Sequence, residues 1–269
     1  MAPASRSPKV ALITGAARGN GLAIAQALGE AGCSLYLLDL PRPVPGVPYA
    51  LSTPAELEAA VADLRRRFPR VQGLLGDVRV AGEVHAAVRQ VEQAEGGVDI
   101  LVNNAGLLVL HPIAQVSEAE WRLHLDVMAT GAFLCCQRVL PQMNARGWGR
   151  IVNVASVAGQ VGLGTGVAYT AAKHALVGLT RALAMEVARQ HVTVNAVCPG
   201  STATPLLAGT ARALGLSEQQ AAAQLLGRHL TGQPIQPQDV AAAVAWLASD
   251  AAARVNGTCL FVDDGWTAH

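Results

Sequence analysis

Lysine is almost missing from the chain: Lys9 and Lys173 are the only two in 269 residues. Charge of either sign is thin, at 14% of residues, and the twenty basic and nineteen acidic side chains leave a net +1. Such a balance offers no bulk attraction to nucleic acid or to an anionic membrane, so neither is expected as a partner. A cysteine framework is also lacking. The five cysteines at 33, 135, 136, 198 and 259 are odd in number, with no Cys-x-x-Cys and no Cys/His ligand spacing. A reduced, cytoplasmic protein without a bound metal is the expectation. Met1 to Lys9 has no apolar core of a signal peptide. The longest uncharged stretch, 151–172, is broken by Asn153, Ser156, Gln160, Thr165, Tyr169 and four glycines, which argues against a membrane span.

What remains is rich in apolar residues, 51% of the total. With so little charge, part of that surplus is expected to be buried between subunits. The runs are short and ordered. Lys9–Thr14 reads as a strand buried on both faces, followed by three glycines at 15, 19 and 21. Leu22, Ile24, Ala25 and Leu28 recur at helical spacing, and Ser34–Leu38 is a second strand closed by Asp39. The alternation continues with helix 54–68, strand 71–75, helix 79–95, strand 98–102, helix 117–145, strand 150–154, helix 167–190 and strand 192–197. A helical excursion at 205–228, helix 237–249 and strand 258–262 complete it. Alternating helices and apolar strands predict a parallel, doubly wound α/β sheet. No linker divides it, so one domain over 1–269 is expected. Two segments look inserted. The proline-rich 41–53 reads as an ordered loop, and 200–235 as a lid that folds over a site.

Three features carry chemistry. The glycines are spaced G-x-x-x-G-x-G between a predicted strand and a predicted helix. That context lets a phosphate approach backbone N–H groups at a helix start. Asp39 closes the following strand, 18 residues beyond Gly21, where a carboxylate accepts from ribose hydroxyls and repels a 2′-phosphate. NAD is therefore favoured over NADP, although Arg18 and Arg42 are possible phosphate partners. Tyr169 and Lys173 lie four apart, on one helix face. With three tyrosines and two lysines, a chance Tyr-x-x-x-Lys is expected only about 0.02 times. An ammonium beside a phenol favours the phenolate, as a proton shuttle for alcohol and carbonyl chemistry requires. Ser156, just past a strand, offers a hydroxyl to orient a carbonyl oxygen.

Thr14-Gly-Ala-Ala-Arg-Gly-Asn-Gly21, Asp77-Val78, Asn103-Asn-Ala-Gly106, Ser156, Tyr169-x-x-x-Lys173 and Asn195-Ala-Val-Cys-Pro-Gly200 with Thr204 resemble the short-chain dehydrogenase/reductase family, in family order over nearly the whole chain. The resemblance implies a Rossmann-type domain, NAD(P), catalytic Ser156, Tyr169 and Lys173, and a homotetramer built on the helices at 117–145 and 167–190. It implies a cofactor site from Gly15, Arg18, Gly19, Asn20, Gly21 and Asp39. Asp77 and Val78 meet the adenine, Asn103 and Ala105 line the adenosine side, and Pro199, Thr202 and Thr204 lie beside the nicotinamide. Tyr169 and Lys173 contact the cofactor as well, Lys173 through the nicotinamide ribose. Three departures stand out. Met128 replaces the asparagine of the family's catalytic tetrad and cannot hold a relay water, Asn20 replaces an isoleucine, and Asp263-Asp264-Gly265 replaces Asp-Gly-Gly. The insert around Val47-Pro-Tyr49-Ala-Leu-Ser-Thr-Pro54 is similar to that of the carveol-dehydrogenase-like, mycofactocin-associated members, where it covers the cofactor and NAD exchanges poorly.

The expectation is hydride transfer between NAD and a small, apolar secondary alcohol or its ketone. Leu206, Leu207, Leu214, Leu216, Leu225 and Leu226 suggest an apolar guest, or equally the buried stripe of a helix pair. Two alternatives stay open: an NADPH-dependent ketoreductase of the acyl-thioester type, and a dinucleotide-binding protein with little turnover because of Met128.

Overall fold

A computed structural model describes residues 8–217, 219, 220, 223 and 226–268. Seven apolar runs form seven parallel strands: β1 Val10–Thr14, β2 Ser34–Asp39, β3 Val71–Leu75, β4 Ile100–Asn103, β5 Gly149–Val154, β6 Val192–Pro199 and β7 Cys259–Val262. Their order in the sheet is β3-β2-β1-β4-β5-β6-β7. The chain reverses its direction of winding between β1 and β4, and a crevice opens there at the carboxyl ends of the strands.

Side chains alternate across the sheet, and each face has its own helices. Ala11, Ile13, Leu35 and Leu37 pack with α1 (Gly19–Glu30), α2 (Pro54–Arg65) and α8 (Pro237–Ala248). Val10, Leu12, Tyr36, Leu38 and Leu101 pack with α3 (Ala81–Glu95), α5 (Gly131–Arg146) and the end of α6 (Val167–Val187). Thr53 caps α2 reciprocally with Glu56, and Pro54 occupies its first turn, so the helix starts where a proline-rich loop ends.

The helix expected over 117–145 is interrupted. It runs as α4 (Glu118–Leu125), a π-helical turn Asp126–Thr130, and α5. A π turn widens the helix by one residue and often marks a functional site. The excursion expected as helix 205–228 begins as α7 (Pro205–Ala213) and turns at Gly215 in the left-handed region. Glu218, Ala221, Ala222, Gln224 and Leu225 lie outside the described residues. The ends of the excursion are closed by a bridge between Thr202 and Ile235. The 41–53 insert has a small core of its own: Val44 is buried with Leu107, Val109 and Leu123.

Glycine at 21 is demanded by packing. A Cβ there would run into the Gly15 carbonyl oxygen and lie 2.7 Å from Asn104 Nδ2. Neither neighbour can retreat, since both belong to the β1–β4 junction. Gly82, on the exposed first turn of α3, has nothing within 4 Å of such a Cβ. Gly21→Ala is expected to destabilise by about 1–3 kcal/mol, and Gly82→Ala to stabilise by roughly 0.5–1 kcal/mol. Opposite shifts of the thermal unfolding midpoint check this; a neutral Gly21→Ala would refute the close packing.

Candidate active site

One cleft at the crevice is lined by fourteen of the sixteen residues singled out from sequence: Ser156, Tyr169, Lys173, Gly15, Arg18, Gly19, Asn20, Asp39, Asp77, Val78, Ala105, Pro199, Thr202 and Thr204. Gly21 and Asn103 are not among its lining residues. Gly21 packs against the loop beneath, as described. Asn103 turns into the sheet, where its Nδ2 donates to Asn153 Oδ1 at 2.8 Å. The asparagine that lines the cleft is its neighbour Asn104. Asn104 Nδ2 donates to the carbonyls of Thr14 and Gly15 at 2.9 Å each.

The glycine loop forms a cradle. Gly15 and Gly19 have φ of +64° and +57°, and a Cβ on Gly15 would lie 2.8 Å from Ala105 Cα. Helix α1 begins at Gly19 with no side-chain cap and no acidic residue in its first turn. Its first N–H groups are therefore free of side-chain acceptors, a fit for the pyrophosphate of a dinucleotide. Asp39, buried at the end of β2, accepts from the N–H groups of Ala17 and Leu40 at 2.7 Å each, and from the Ser52 hydroxyl. Beside it Asp77 is gripped by Arg79 through both carboxylate oxygens. Burial works to raise the Asp77 pKa, but Arg79 overrides it and holds the carboxyl below its ordinary range. The two arginines considered as phosphate partners are committed elsewhere. Arg18 pairs with Glu56 at 3.3 Å and donates to the Ala50 carbonyl at 2.6 Å, and Arg42 pairs with Glu83 at 2.8 Å.

At the other end, Ser156 follows β5 and caps the short turn Val157–Gly159, accepting from the Ala158 N–H at 3.1 Å. Its hydroxyl also lies within hydrogen-bonding reach of the Tyr169 phenol. Lys173 is buried one turn along α6; its Nζ sits 5.6 Å from the Tyr169 ring centre and donates to the Val154 carbonyl at 2.8 Å. The expectation that Lys173 depresses the phenol pKa is not what this geometry gives. Burial pushes Tyr169 up to about 12, against a lowering by Ser156, and pushes Lys173 down to about 8. Two groups taken from water without an opposite charge both drift toward their neutral forms.

Met128 lies in the π turn, 1% exposed, with its sulfur against Gly106. It supplies no polar atom in the place of an amide. Asn103 Oδ1, buried in the same neighbourhood, has no hydrogen-bond partner, and both residues line a small void.

Several cleft features were not legible as such in the sequence. Tyr49 from the insert and Trp266 from the C-terminal turn line the cleft. His124 is buried behind Tyr169, their ring centres 6.5 Å apart and nearly perpendicular. Its Nε2 accepts from the Val109 N–H at 3.2 Å and its Nδ1 meets the Glu120 carbonyl at 2.9 Å, so it fastens the loop after β4 to α4. A lone histidine at an apolar helix position carries no signal of that task. Of the six leucines named from sequence, Leu206 and Leu207 line the cleft; Leu214, Leu216 and Leu226 are not among its lining residues, and Leu225 is outside the described residues.

Comparison with known proteins agrees with this architecture. A family model described as enoyl-(acyl carrier protein) reductase matches residues 15–267. The D-beta-hydroxybutyrate dehydrogenase of Rhizobium meliloti (strain 1021) is 36% identical over 268 residues, covering 97% of this chain and 99% of that protein. That of Cupriavidus necator is 36% identical over 265 residues, covering 97% and 98%. The crystal structure of levodione reductase superposes with a TM-score of 0.89 at 32% identity, covering 97% of this chain and 98% of that one. Glycine cradle, Ser156, Tyr169 and Lys173 in one cleft, and relatives matched end to end, place the chain in the short-chain dehydrogenase/reductase family, as an oxidoreductase of secondary alcohols and ketones.

Proposed function

We propose that the chain transfers hydride between NAD and a small, uncharged, apolar secondary alcohol or its ketone. The observation that carries the cofactor choice is Asp39. Its buried carboxylate faces the cleft, and neither Arg18 nor Arg42 is free to receive a 2′-phosphate in its place. The same observation disfavours the NADPH-dependent reading. Gly15, Gly19 and Asn20 would hold the pyrophosphate, and Asp39, Asp77, Val78 and Ala105 the adenosine half. Lys173, Pro199, Thr202 and Thr204 would hold the nicotinamide half. When bound, the dinucleotide supplies hydride exchange. Ser156 orients the substrate oxygen. Tyr169 takes the hydroxyl proton in oxidation and returns it in reduction, and Lys173 holds positive charge beside it.

Substrate polarity follows from the walls. Leu107, Leu108, Leu110, Leu206, Leu207 and Trp266 line the cleft. Among the described lining residues its cations are Arg18, Arg79 and Lys173, and the two arginines are paired with Glu56 and Asp77. A carboxylate substrate would find no spare guanidinium. The insert lies against Asp39 through Ser52 and against Arg18 through Ala50, which supports its likeness to the cofactor-covering insert of the mycofactocin-associated members. A homotetramer is supported by apolar side chains left in water on the α4–α5 and α6 helices: Trp121, Phe133, and Met185 at 84% exposure. Five free thiols support a cytoplasmic setting.

Three outcomes are expected. NAD should bind at least about tenfold more tightly than NADP, roughly 1.4 kcal/mol; equal affinities by titration would refute the role of Asp39. Asp39→Ala should narrow that ratio only in part, because Arg18 stays with Glu56, and adding Glu56→Gln should narrow it further. Light scattering at micromolar concentration should give four times the 27.7 kDa chain mass; a monomer would contradict the interface.

Tyr169→Phe should lower turnover by about 10²–10⁴-fold, the usual share of acid–base catalysis, with NAD affinity nearly intact, whereas Lys173→Ala should damage both. Ketone reduction needs the Tyr169 proton, held to about pH 12, and the Lys173 charge, lost above about pH 8. Its kcat/KM should therefore stay level up to about pH 8 and fall above it. A rate that climbs through pH 8–10 would contradict this assignment. Met128→Asn should raise turnover if the missing amide limits proton exchange.

A further inference from the structure

Tyr49 comes from the insert between β2 and α2, far in sequence from Ser156, Tyr169 and Lys173, yet it lines the same cleft. Its hydroxyl accepts from the Leu108 N–H at 2.8 Å and lies within hydrogen-bonding reach of Thr210 on α7. Thr210 Oγ donates to the Leu108 carbonyl at 3.1 Å. The Leu108 peptide is thus held on one side by the insert and on the other by α7. The ring packs as closely as its polar tip. A Cβ on Gly209 of α7 would lie 2.9 Å from Tyr49 Cγ and 3.0 Å from Cδ2, so glycine at 209 makes room for this ring.

The insert itself is fixed at both ends. Val44 is buried with Leu107, Val109 and Leu123, Ala50 accepts from Arg18, and Ser52 donates to Asp39. Tyr49 is therefore set in position rather than hanging from a loose loop. Its hydroxyl is engaged by the Leu108 N–H, which leaves the ring as the part that a guest can meet. Tyr49 is also near enough to Tyr169 that it adds to the effect of burial in raising that phenol's pKa. A half-buried ring that lines the same cleft as Tyr169, Leu107, Leu108, Leu110, Leu206 and Leu207 offers a flat apolar wall to a guest.

We infer that Tyr49 is a specificity-determining residue: its ring is the wall against which the non-reacting end of the alcohol packs, and it sets the upper size of the guest. This rests on the alcohol oxidoreductase reading of the cleft. Two consequences follow from ring volume. Truncation opens the wall toward α7 and admits longer alcohols. Enlargement closes it. The conservative change to phenylalanine removes the hydrogen bond to Leu108 but keeps the wall.

The test compares wild type with Tyr49→Ala, Tyr49→Phe and Tyr49→Trp on straight-chain secondary alcohols from 2-butanol to 2-decanol. The kcat/KM is measured with NAD, and the dissociation constant of each alcohol with NADH, to which the alcohol cannot pass a hydride, by titration calorimetry. Tyr49→Ala should shift the ratio of long to short alcohols at least about tenfold toward the long, as expected when a pocket gains or loses the room of a few methylenes. Tyr49→Trp should shift it the opposite way, and Tyr49→Phe should keep the wild-type ranking. Should Tyr49→Ala fail to fold, a shift toward short alcohols in Tyr49→Trp against an unchanged ranking in Tyr49→Phe still decides. Ratios that move by one common factor, or in the same direction for Ala and Trp, overturn the inference. Binding separates the two levels of argument. Size-dependent binding without turnover would refute the reaction and uphold the wall, whereas size-independent binding would refute the wall whatever the turnover.

Discussion

The cleft depends on one junction, where the chain leaves β1 and β4 in opposite directions. Four hydrogen bonds hold it. Thr14 Oγ accepts from the N–H groups of Asn104 and Ala105 at 3.0 Å each, and Asn104 Nδ2 donates to the carbonyls of Thr14 and Gly15. Two loops that would otherwise diverge at the sheet's switch point are thereby joined at a fixed spacing. Gly15 and Gly21 are obliged to be glycine because they touch this junction, the first against Ala105 and the second against Asn104. The start of α1, and with it the direction in which its free N–H groups point, follows from that contact. Buried polar networks of this kind fix one arrangement because every alternative leaves a donor or acceptor unpaired.

Charge is arranged around the cleft with similar economy. Arg18, Arg42 and Arg79 each have a carboxylate, so the field around the glycine cradle is close to neutral apart from Asp39. Of the two lysines, Lys9 lies over the Trp148 ring at 3.6 Å and Lys173 is buried in the site. The buried ammonium is the one cation beside the Tyr169 phenol among the described lining residues of the cleft. Burial weakens its hold on a proton, and the Val154 carbonyl gives it a dipole but no countercharge. Its charge state near neutral pH is consequently sensitive to small changes around it.

The parts of this architecture that are local in sequence were legible there. Strand, glycines and helix follow one another within twenty residues, and Tyr169 and Lys173 share a helix face by simple periodicity. Element boundaries moved by a residue or three where caps compete, as at Ser249, which ends α8. What escaped was set by contacts between distant segments. Nothing in Asn103-Asn104 says which amide faces the cleft; that depends on the pleat at the end of β4, which sends Asn103 toward Asn153. The π turn at Asp126–Thr130 has no marker in composition, because its residues would serve an ordinary helix equally well. The depression expected for the Tyr169 pKa failed for a related reason. Spacing brought the lysine near but carried no information on how far the fold withdraws the two groups from water, Lys173 fully and Tyr169 in part.

The two ends of the cleft are built from different material, and this bears on how its chemistry and its selectivity are divided. The end with the glycine cradle and Asp39 consists of strand termini and helix starts, positioned by backbone hydrogen bonds of the sheet and by the Thr14–Asn104 junction. The opposite end consists of the insert, the loop after β4 and the described residues that follow β6, held by a few side-chain contacts: Tyr49 and Thr210 on Leu108, and His124 on Val109. His229 joins them, its Nε2 accepting from the Ser201 N–H at 3.0 Å under the Trp266 ring. Such contacts are replaceable one at a time without disturbing the sheet. If Tyr49 is the wall proposed above, a substitution there or at Gly209 alters what a guest meets, while Ser156 after β5 and Tyr169 and Lys173 on α6 keep their places. On the proposed reading, the reacting groups sit on elements that the fold fixes, and the choice of alcohol falls to segments that the fold only anchors.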